Sequence, residues 1–315
     1  MSTLTRREWL GLTLGTGAGL AFGVRDLFAQ QPLIARPIPS SGERIPVIGL
    51  GSSATFSQVA SKDDVSALRD VLKTLLENGG RIFDTAPGYG ASEEVAGRIV
   101  QDEGWADRLF WATKLNVAGR GGSADPAAAR RQLETSFQRV GKAKIDLIQV
   151  HNVGDVPTQL PILREYKQQG KVRYIGVTTT FDNQYAELIG IMQRERLDFI
   201  GVDYAIDSPE VQDRILPLAQ ERGMAVLAYA PFGRTRLFRR VGNRPLPDWA
   251  AEFDAKTWAQ FFLKWVLGHP AITATTPATS QPKNMLDNLG GGMGRVPDQA
   301  MRKRMSDFID ALPAA

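Results

Sequence analysis

The chain has no cysteine and only two histidines among its 315 residues. The first absence excludes disulfides, thiolate nucleophiles and cysteine-ligated zinc, and is compatible with an oxidising compartment. The second leaves His151 and His269 far apart in sequence, without the closely spaced ligands of a zinc site, so no metal is expected. Lysine-rich runs and basic stretches interleaved with aromatics are also missing. A formal charge of +4 and a pI near 9.3 therefore do not point to nucleic acid. No tract is of low complexity, no short repeat recurs, and no shift in composition marks a second domain. What remains, 43% hydrophobic and 23% charged residues, is an ordinary globular balance.

The N-terminus carries a pattern of its own. Thr5-Arg6-Arg7-Glu8-Trp9-Leu10 precedes a Gly/Ala/Leu-rich apolar run that ends near Gly23. That run is shorter than the roughly 20 residues of a membrane span, so no lasting membrane insertion is expected. The pattern resembles a twin-arginine export signal. The resemblance implies a signal peptide over 1–29, cleaved after Ala29, a linker over 30–36 and a folded domain over 37–315. It also implies the twin-arginine machinery as a partner and a periplasmic destination reached in the folded state.

Within the domain, three strand-like runs end in reactive side chains. Ile82 and Phe83 lead to Asp84, with Tyr89 following in a Pro/Gly loop; LFWATK stops at Lys114; IDLIQVH stops at His151. Polar groups often sit where buried strands surface. A carboxylate that can hold a lysine, beside a phenol and an imidazole, is nonetheless a set suited to moving a proton to or from a carbonyl or carbinol oxygen. His269, in the turn before Pro270, is expected to be structural.

The segments alternate. Asp63 to Glu77 carries Val65, Leu68, Leu72, Leu75 and Leu76 at helical spacing. Strands then end at Asp84, Lys114 and His151, with helices from Ser92 and Asp125. Further on come VRYIGVT, a helix over 182–194, LDFIGVDY, a helix over 209–222 and MAVLAYAPFG. A helix over 255–267, the strand AITATT, a helix over 281–289 and a last helix over 298–312 complete the chain. This is the sequence form of parallel β/α units, eight in number. PIPSSGERIPVIGLG reads as a hairpin turning on Ser40-Ser41-Gly42, followed by a first strand over 45–50. The run 233–248 has no periodicity and carries Arg234, Arg236, Arg239, Arg240 and Arg244, so it is expected to be a loop or lid.

FDTAPGYGASEEVAG, followed by WATK, IDLIQVH and RYIGVTTT, resembles the aldo-keto reductases from about Pro37 to the C-terminal helix. The resemblance implies a (β/α)8 TIM barrel whose floor the N-terminal β-hairpin plugs, with an extra C-terminal helix. It implies a hydride exchanged between NADP(H) and a small carbonyl or alcohol substrate. Tyr89 would be the general acid or base, Lys114 would lower its pKa, Asp84 would keep Lys114 charged, and His151 would hydrogen-bond the substrate oxygen. Tyr229 corresponds to the aromatic that stacks on the nicotinamide, with Pro231 and Gly233 in the same cofactor loop.

Departures fall on the nucleotide. The family's Ser-Asn pair corresponds to Thr178 and Thr179, and its strand-borne Gln to Gly201. Asn288 matches the adenine-contacting Asn, whereas the basic residues for the 2′-phosphate correspond to Ala278 and Asn284. Thr279, Gln281 and Lys283 are the remaining donors there, which keeps NAD as the alternative to NADP. The arginine run is either a flap over the pyrophosphate or a solvated insertion. Two other readings compete with the reductase. One is a nucleotide-binding barrel that senses redox state or binds a partner protein. The other is a dismutase or isomerase that keeps its cofactor.

Overall fold

Parallel strands lie side by side in chain order: β3 (Leu50–Gly51), β4 (Ile82–Asp84), β5 (Phe110–Leu115), β6 (Ile145–His151), β7 (Val172–Thr179), β8 (Phe199–Asp203), β9 (Ala225–Tyr229) and β10 (Ala274–Thr275). Isolated parallel bridges, Ile48 to Thr275 and Gly51 to Ala278, join the first strand to the last. The computed structural model describes residues 31–118 and 121–313, so the signal expected over 1–29 lies outside the described residues. The folded unit begins at Leu33, and strand β1 (Ala35–Pro37) already takes in Ala35 and Arg36 of the expected linker.

Helices follow the strands: α1 (Thr55–Ala60), α2 (Ser66–Glu77), α3 (Ser92–Asp102), α4 (Pro126–Val140), α5 (Val156–Gln168), α6 (Tyr185–Arg194), α7 (Val211–Glu221), α8 (Arg236–Val241), α9 (Trp258–Leu267), α10 (Pro282–Gly290) and α11 (Gln299–Asp310). Local chemistry sets their ends. The Asp125 carboxylate accepts from the N–H groups of Ala127 and Ala128 with Pro126 next to it, and Gly141 leaves α4 in the left-handed conformation at φ 66°. Among the described residues no helix is long and apolar enough to cross a membrane.

Strand parity sorts side chains into two cores. Phe83, Trp111 and Ile148 face the helices, whereas Ile82, Phe110, Leu147, Tyr174, Phe199 and Leu227 fill the interior of the ring. The same parity carries Asp84, Lys114, Gln149, His151, Thr178, Gly201, Asp203 and Tyr229 onto the interior face, at the C-terminal ends of their strands. β1 pairs antiparallel with β2 (Arg44–Pro46), and Ile38 and Ile45 join the interior core. The hairpin is tied to the start of β7 by Glu43, which takes the Arg173 guanidinium and the Tyr174 hydroxyl. The first barrel strand is thus shorter than the expected 45–50. Ile45 belongs to the hairpin, whose cross-strand bonding runs on past Pro46 to the Val47 N–H, which donates to Ile34 O at 2.9 Å.

The arginine run is more ordered than its lack of periodicity suggests. It contains α8, whose Leu237 and Val241 are buried one helical turn apart; six residues are too few for a periodic signature. Phe238 packs between Phe232 and Phe262 at ring distances of 5.0 and 5.9 Å. Arg240 donates to the carbonyls of Asp310 and Leu312, and Trp258 Nε1 donates to Arg244 O at 2.8 Å.

Helices α3 and α4 meet at Gly97, where an added Cβ would lie 1.9 Å from the Arg139 carbonyl oxygen. Alanine is intrinsically better than glycine in a helix by about 0.5–1 kcal/mol, but overpacking against backbone costs about 1–3 kcal/mol. Gly97→Ala should therefore lower the urea midpoint by the equivalent of about 1–2 kcal/mol at unchanged slope. A raised midpoint would show that the two helices separate freely.

Candidate active site

β4 and β5 are neighbours in the sheet, with Asp84 paired to Ala112, so Lys114 emerges one inward position beyond Asp84. Its Nζ donates to both Asp84 oxygens, at 3.0 and 2.8 Å, and to Thr85 O at 2.8 Å. The ammonium also lies 5.4 Å from the Tyr89 ring and 5.3 Å from the Tyr229 ring. His151 meets Tyr89 edge-on at 6.0 Å between centroids. Behind β5, the buried Glu93 accepts from Thr113 at 2.7 Å and Ser136 at 3.1 Å, which locks α3 to the strand that carries Lys114.

These groups open into one cavity of about 540 Å³. Its walls include Ser53, Ala54 and Thr55 after β3, Asn152 after β6, Thr178 and Thr180 on β7 and beyond, and Asp203 on β8. The stretch Tyr229–Phe232 with Arg234 and Thr235, and Thr276–Ala278 after β10, close the other side.

Burial governs the protonation states. It works against the Lys114 ammonium, but Asp84 and then the Tyr89 and Tyr229 phenols outweigh it, and Lys114 is held well above its ordinary value. For Tyr89 the resemblance implied a lowered phenol. Here burial wins: the Tyr89 pKa is raised, with Lys114 and Arg234 pulling it down and Asp84 and Asp203 pushing it up. Burial, then Lys114, depresses His151 to about 3, so the imidazole is neutral at working pH.

Several expected residues sit elsewhere than in this cavity. The Thr179 hydroxyl is engaged by Gln184 and by the Phe181 N–H, and does not line it. Gly233 lies behind the wall at φ 54°, against the Asp207 carboxylate. Thr279 accepts from the Gln281 N–H at 3.1 Å, and Gln281, Lys283, Asn284 and Asn288 belong to the start and body of α10, beyond the lining. Tyr229 is deeply buried. Its hydroxyl accepts from Gln149 Nε2 at 2.8 Å and lies 3.4 Å from Asp84 Oδ1. Gly201 makes this possible, since a Cβ there would fall 2.4 Å from the Tyr229 ring. His269 is structural: its Nδ1 accepts from the Ala271 N–H at 3.2 Å, away from the cavity.

The sequence reading missed Gln149 and Asp203. A usable signal was there, since Gln149 is two residues before His151 and Asp203 is two after Gly201, on the same inward faces.

Chemistry collected at the C-terminal ends of eight parallel strands defines the molecule as an α/β barrel of the enzyme-bearing kind. Residues 47–303 match the sequence profile of the Aldo/keto reductase family, and the chain belongs to that family. The aldo-keto reductase str7 of Strobilurus tenacellus is 24% identical over 287 residues, covering 81% of this chain and 84% of that protein. Among solved structures, the glycerol dehydrogenase of Gluconobacter oxydans superposes with a TM-score of 0.71 at 21% identity, over 88% of this chain and 95% of its own. An aldo/keto reductase of Klebsiella pneumoniae, in complex with NADP and acetate, gives 0.67 at 22% identity, over 85% and 93%.

His151 makes stability depend on pH. Between its unfolded value near 6.5 and its folded value of about 3 the unfolded chain binds the extra proton, so stability falls as pH drops through that window. The slope is up to about 1.4 kcal/mol per pH unit. His151→Gln should remove about 2 kcal/mol of the loss between pH 6.5 and 5, read from urea midpoints. Equal losses in both proteins would contradict the buried neutral imidazole.

Proposed function

We propose that the protein is an NADP(H)-dependent oxidoreductase that interconverts a small carbonyl compound and its alcohol. The observation that carries this is the Lys114 ammonium, held between Asp84 and the rings of Tyr89 and Tyr229 at one cavity with His151. The cavity suits a nicotinamide nucleotide: it runs from these groups to the rim between β9 and β10, where Arg234 supplies a cation and the buried Thr276 hydroxyl has no partner. When bound, the nucleotide supplies the hydride.

Everything else falls to this chain's side chains. A raised phenol keeps Tyr89 protonated at neutral pH, so it is poised to give its proton to the carbonyl oxygen. Lys114 then stabilises the phenolate left behind, and Asp84 holds Lys114 charged and in place. His151 Nδ1 is buried with no partner. A stranded lone pair costs less there than a stranded N–H, so we assign the ring proton to Nε2, which donates to the substrate oxygen. Tyr229 offers a ring to the nicotinamide, and Thr178 a hydroxyl to its amide. Arg234 suits the phosphates through its charge, and at the start of α10 the Lys283 ammonium and the Gln281 side-chain amide are further donors. NADP is favoured over NAD by relatives of the same fold in complex with NADP or NADPH. The β1–β2 hairpin acts as the plug of the barrel floor, and α11 closes the outer ring.

Tyr89→Phe should lower turnover about 10²- to 10⁴-fold while nucleotide affinity, measured by fluorescence quenching, stays within a factor of about two. A phenylalanine variant with near-wild-type turnover would remove Tyr89 from this role.

The N-terminal pair Arg6 and Arg7 leads us to propose export of the folded chain through the twin-arginine route. Replacing both by lysine should leave full-length, folded precursor in the cytoplasm, detected by fractionation and immunoblot. Wild-type levels of the double variant in the periplasm would exclude this route.

A further inference from the structure

The three N–H donors of Lys114 are all given away, to Asp84 Oδ1 at 3.0 Å, Asp84 Oδ2 at 2.8 Å and Thr85 O at 2.8 Å. An ammonium has no fourth donor, so Lys114 acts on Tyr89 through its charge alone, 5.4 Å from the ring centre. Once Tyr89 has passed its proton to a carbonyl oxygen, a phenolate stands beside that ammonium in a buried site, where a direct charge-assisted hydrogen bond is strong. To make one, Lys114 has to let an acceptor go. The Asp84 Oδ1 bond is the longest of the three, and a second donor waits beside that oxygen: the Tyr229 hydroxyl lies 3.4 Å from Oδ1.

Three neighbours fix that hydroxyl and its proton. The Tyr229 ring sinks into the barrel because residue 201 is glycine; a Cβ there would stand 2.7 Å from the hydroxyl oxygen. Gln149 on β6 holds the same oxygen, its Nε2 donating at 2.8 Å. Gln149 Oε1 is buried with no partner. Turning the amide over would let Oε1 take the phenol proton but would strand both N–H groups in place of one carbonyl oxygen, which costs more. The orientation present leaves the Tyr229 proton for Asp84. Burial, then Asp84, raises the Tyr229 pKa, so the proton stays on the phenol. Burial also works against the Asp84 carboxylate, and Lys114 and Tyr229 are the groups that oppose it.

We propose that Tyr229 and Gln149 are positioning residues for the proton step: as Tyr89 loses its proton, Lys114 turns one N–H from Asp84 Oδ1 to the phenolate oxygen, and the Tyr229 hydroxyl, held by Gln149, closes on Oδ1 in its place. This rests on the oxidoreductase reading. No proton changes owner in the exchange: Asp84 stays ionised, and Lys114 and Tyr229 keep their protons. The role belongs to the Tyr229 hydroxyl, whereas the ring offered to the nicotinamide is kept in Tyr229→Phe.

The test follows single turnovers of glyceraldehyde reduction by NADPH-loaded enzyme, over hours where needed, with rates normalised to bound NADPH. Tyr229→Phe and Gln149→Met are each made in the wild type and in Tyr89→Phe. In the wild-type background each should slow reduction about 10- to 100-fold, as expected for losing a hydrogen bond to a charged group, while the NADPH dissociation constant stays within a factor of about two. In the Tyr89→Phe background no phenolate forms, so each should change the residual rate by less than about threefold. Normalising to bound nucleotide removes any loss of folded protein, and Gln149→Met, which keeps both phenols, completes the cycle should Tyr229→Phe fail to fold. Equal losses in both backgrounds would overturn the proposal, because a group that merely shapes the site acts whether or not residue 89 carries a proton. Near-wild-type rates in the single variants, or a loss confined to NADPH affinity, would overturn it as well, and all these results leave the oxidoreductase reading intact. Binding of NADPH by the wild type with no reduction would overturn that reading, and this proposal with it.

Discussion

One buried ion pair organises the site. Lys114 is 2% exposed and Asp84 is 4% exposed, and neither could stay ionised there alone. The geometry repays much of the desolvation: three oxygens accept from one ammonium, and two phenol rings lie alongside it. Breaking such a pair by removing one partner costs about 3–5 kcal/mol, since the other charge is left uncompensated. The pair is possible because adjacent parallel strands end at staggered heights, which brings one inward residue of β5 above one inward residue of β4. Catalytic geometry and barrel register are therefore the same constraint.

Much of this was legible beforehand. Alternating strand and helix periods identify the β/α units, and three of the polar groups gathered at the cavity stand at strand ends, where an apolar run stops at Asp84, Lys114 or His151. Parity then decides which residues look inward. It places Gln149 and Asp203 in the site as firmly as His151, although neither carries an obvious motif.

What could not be read was set by packing rather than pattern. The direction of the Tyr89 shift depends on how much burial offsets Lys114, a balance that no motif contains. The Thr179 hydroxyl is consumed by the turn into α6, a local contact invisible in the string TTT. α8 is too short to show a period, and the arginines of the run divide their labour: Arg234 and Arg236 pair with Asp203 and Asp207, and Arg240 holds the end of α11. The glycine at position 201 and the burial of Tyr229 are one event seen from two positions, because the phenol ring occupies the space that glycine leaves.

The central claim is that these groups serve hydride transfer between a nicotinamide and a carbonyl carbon. Its most direct test is to incubate the protein with glyceraldehyde and NADPH carrying deuterium at the transferable C4 position, and to analyse the alcohol by mass spectrometry. The account predicts one deuterium on the carbinol carbon of the product, with none incorporated by the Lys114→Met variant in the same time. Alcohol formed without deuterium at that carbon, or no alcohol at all from nucleotide-loaded wild type, would contradict it.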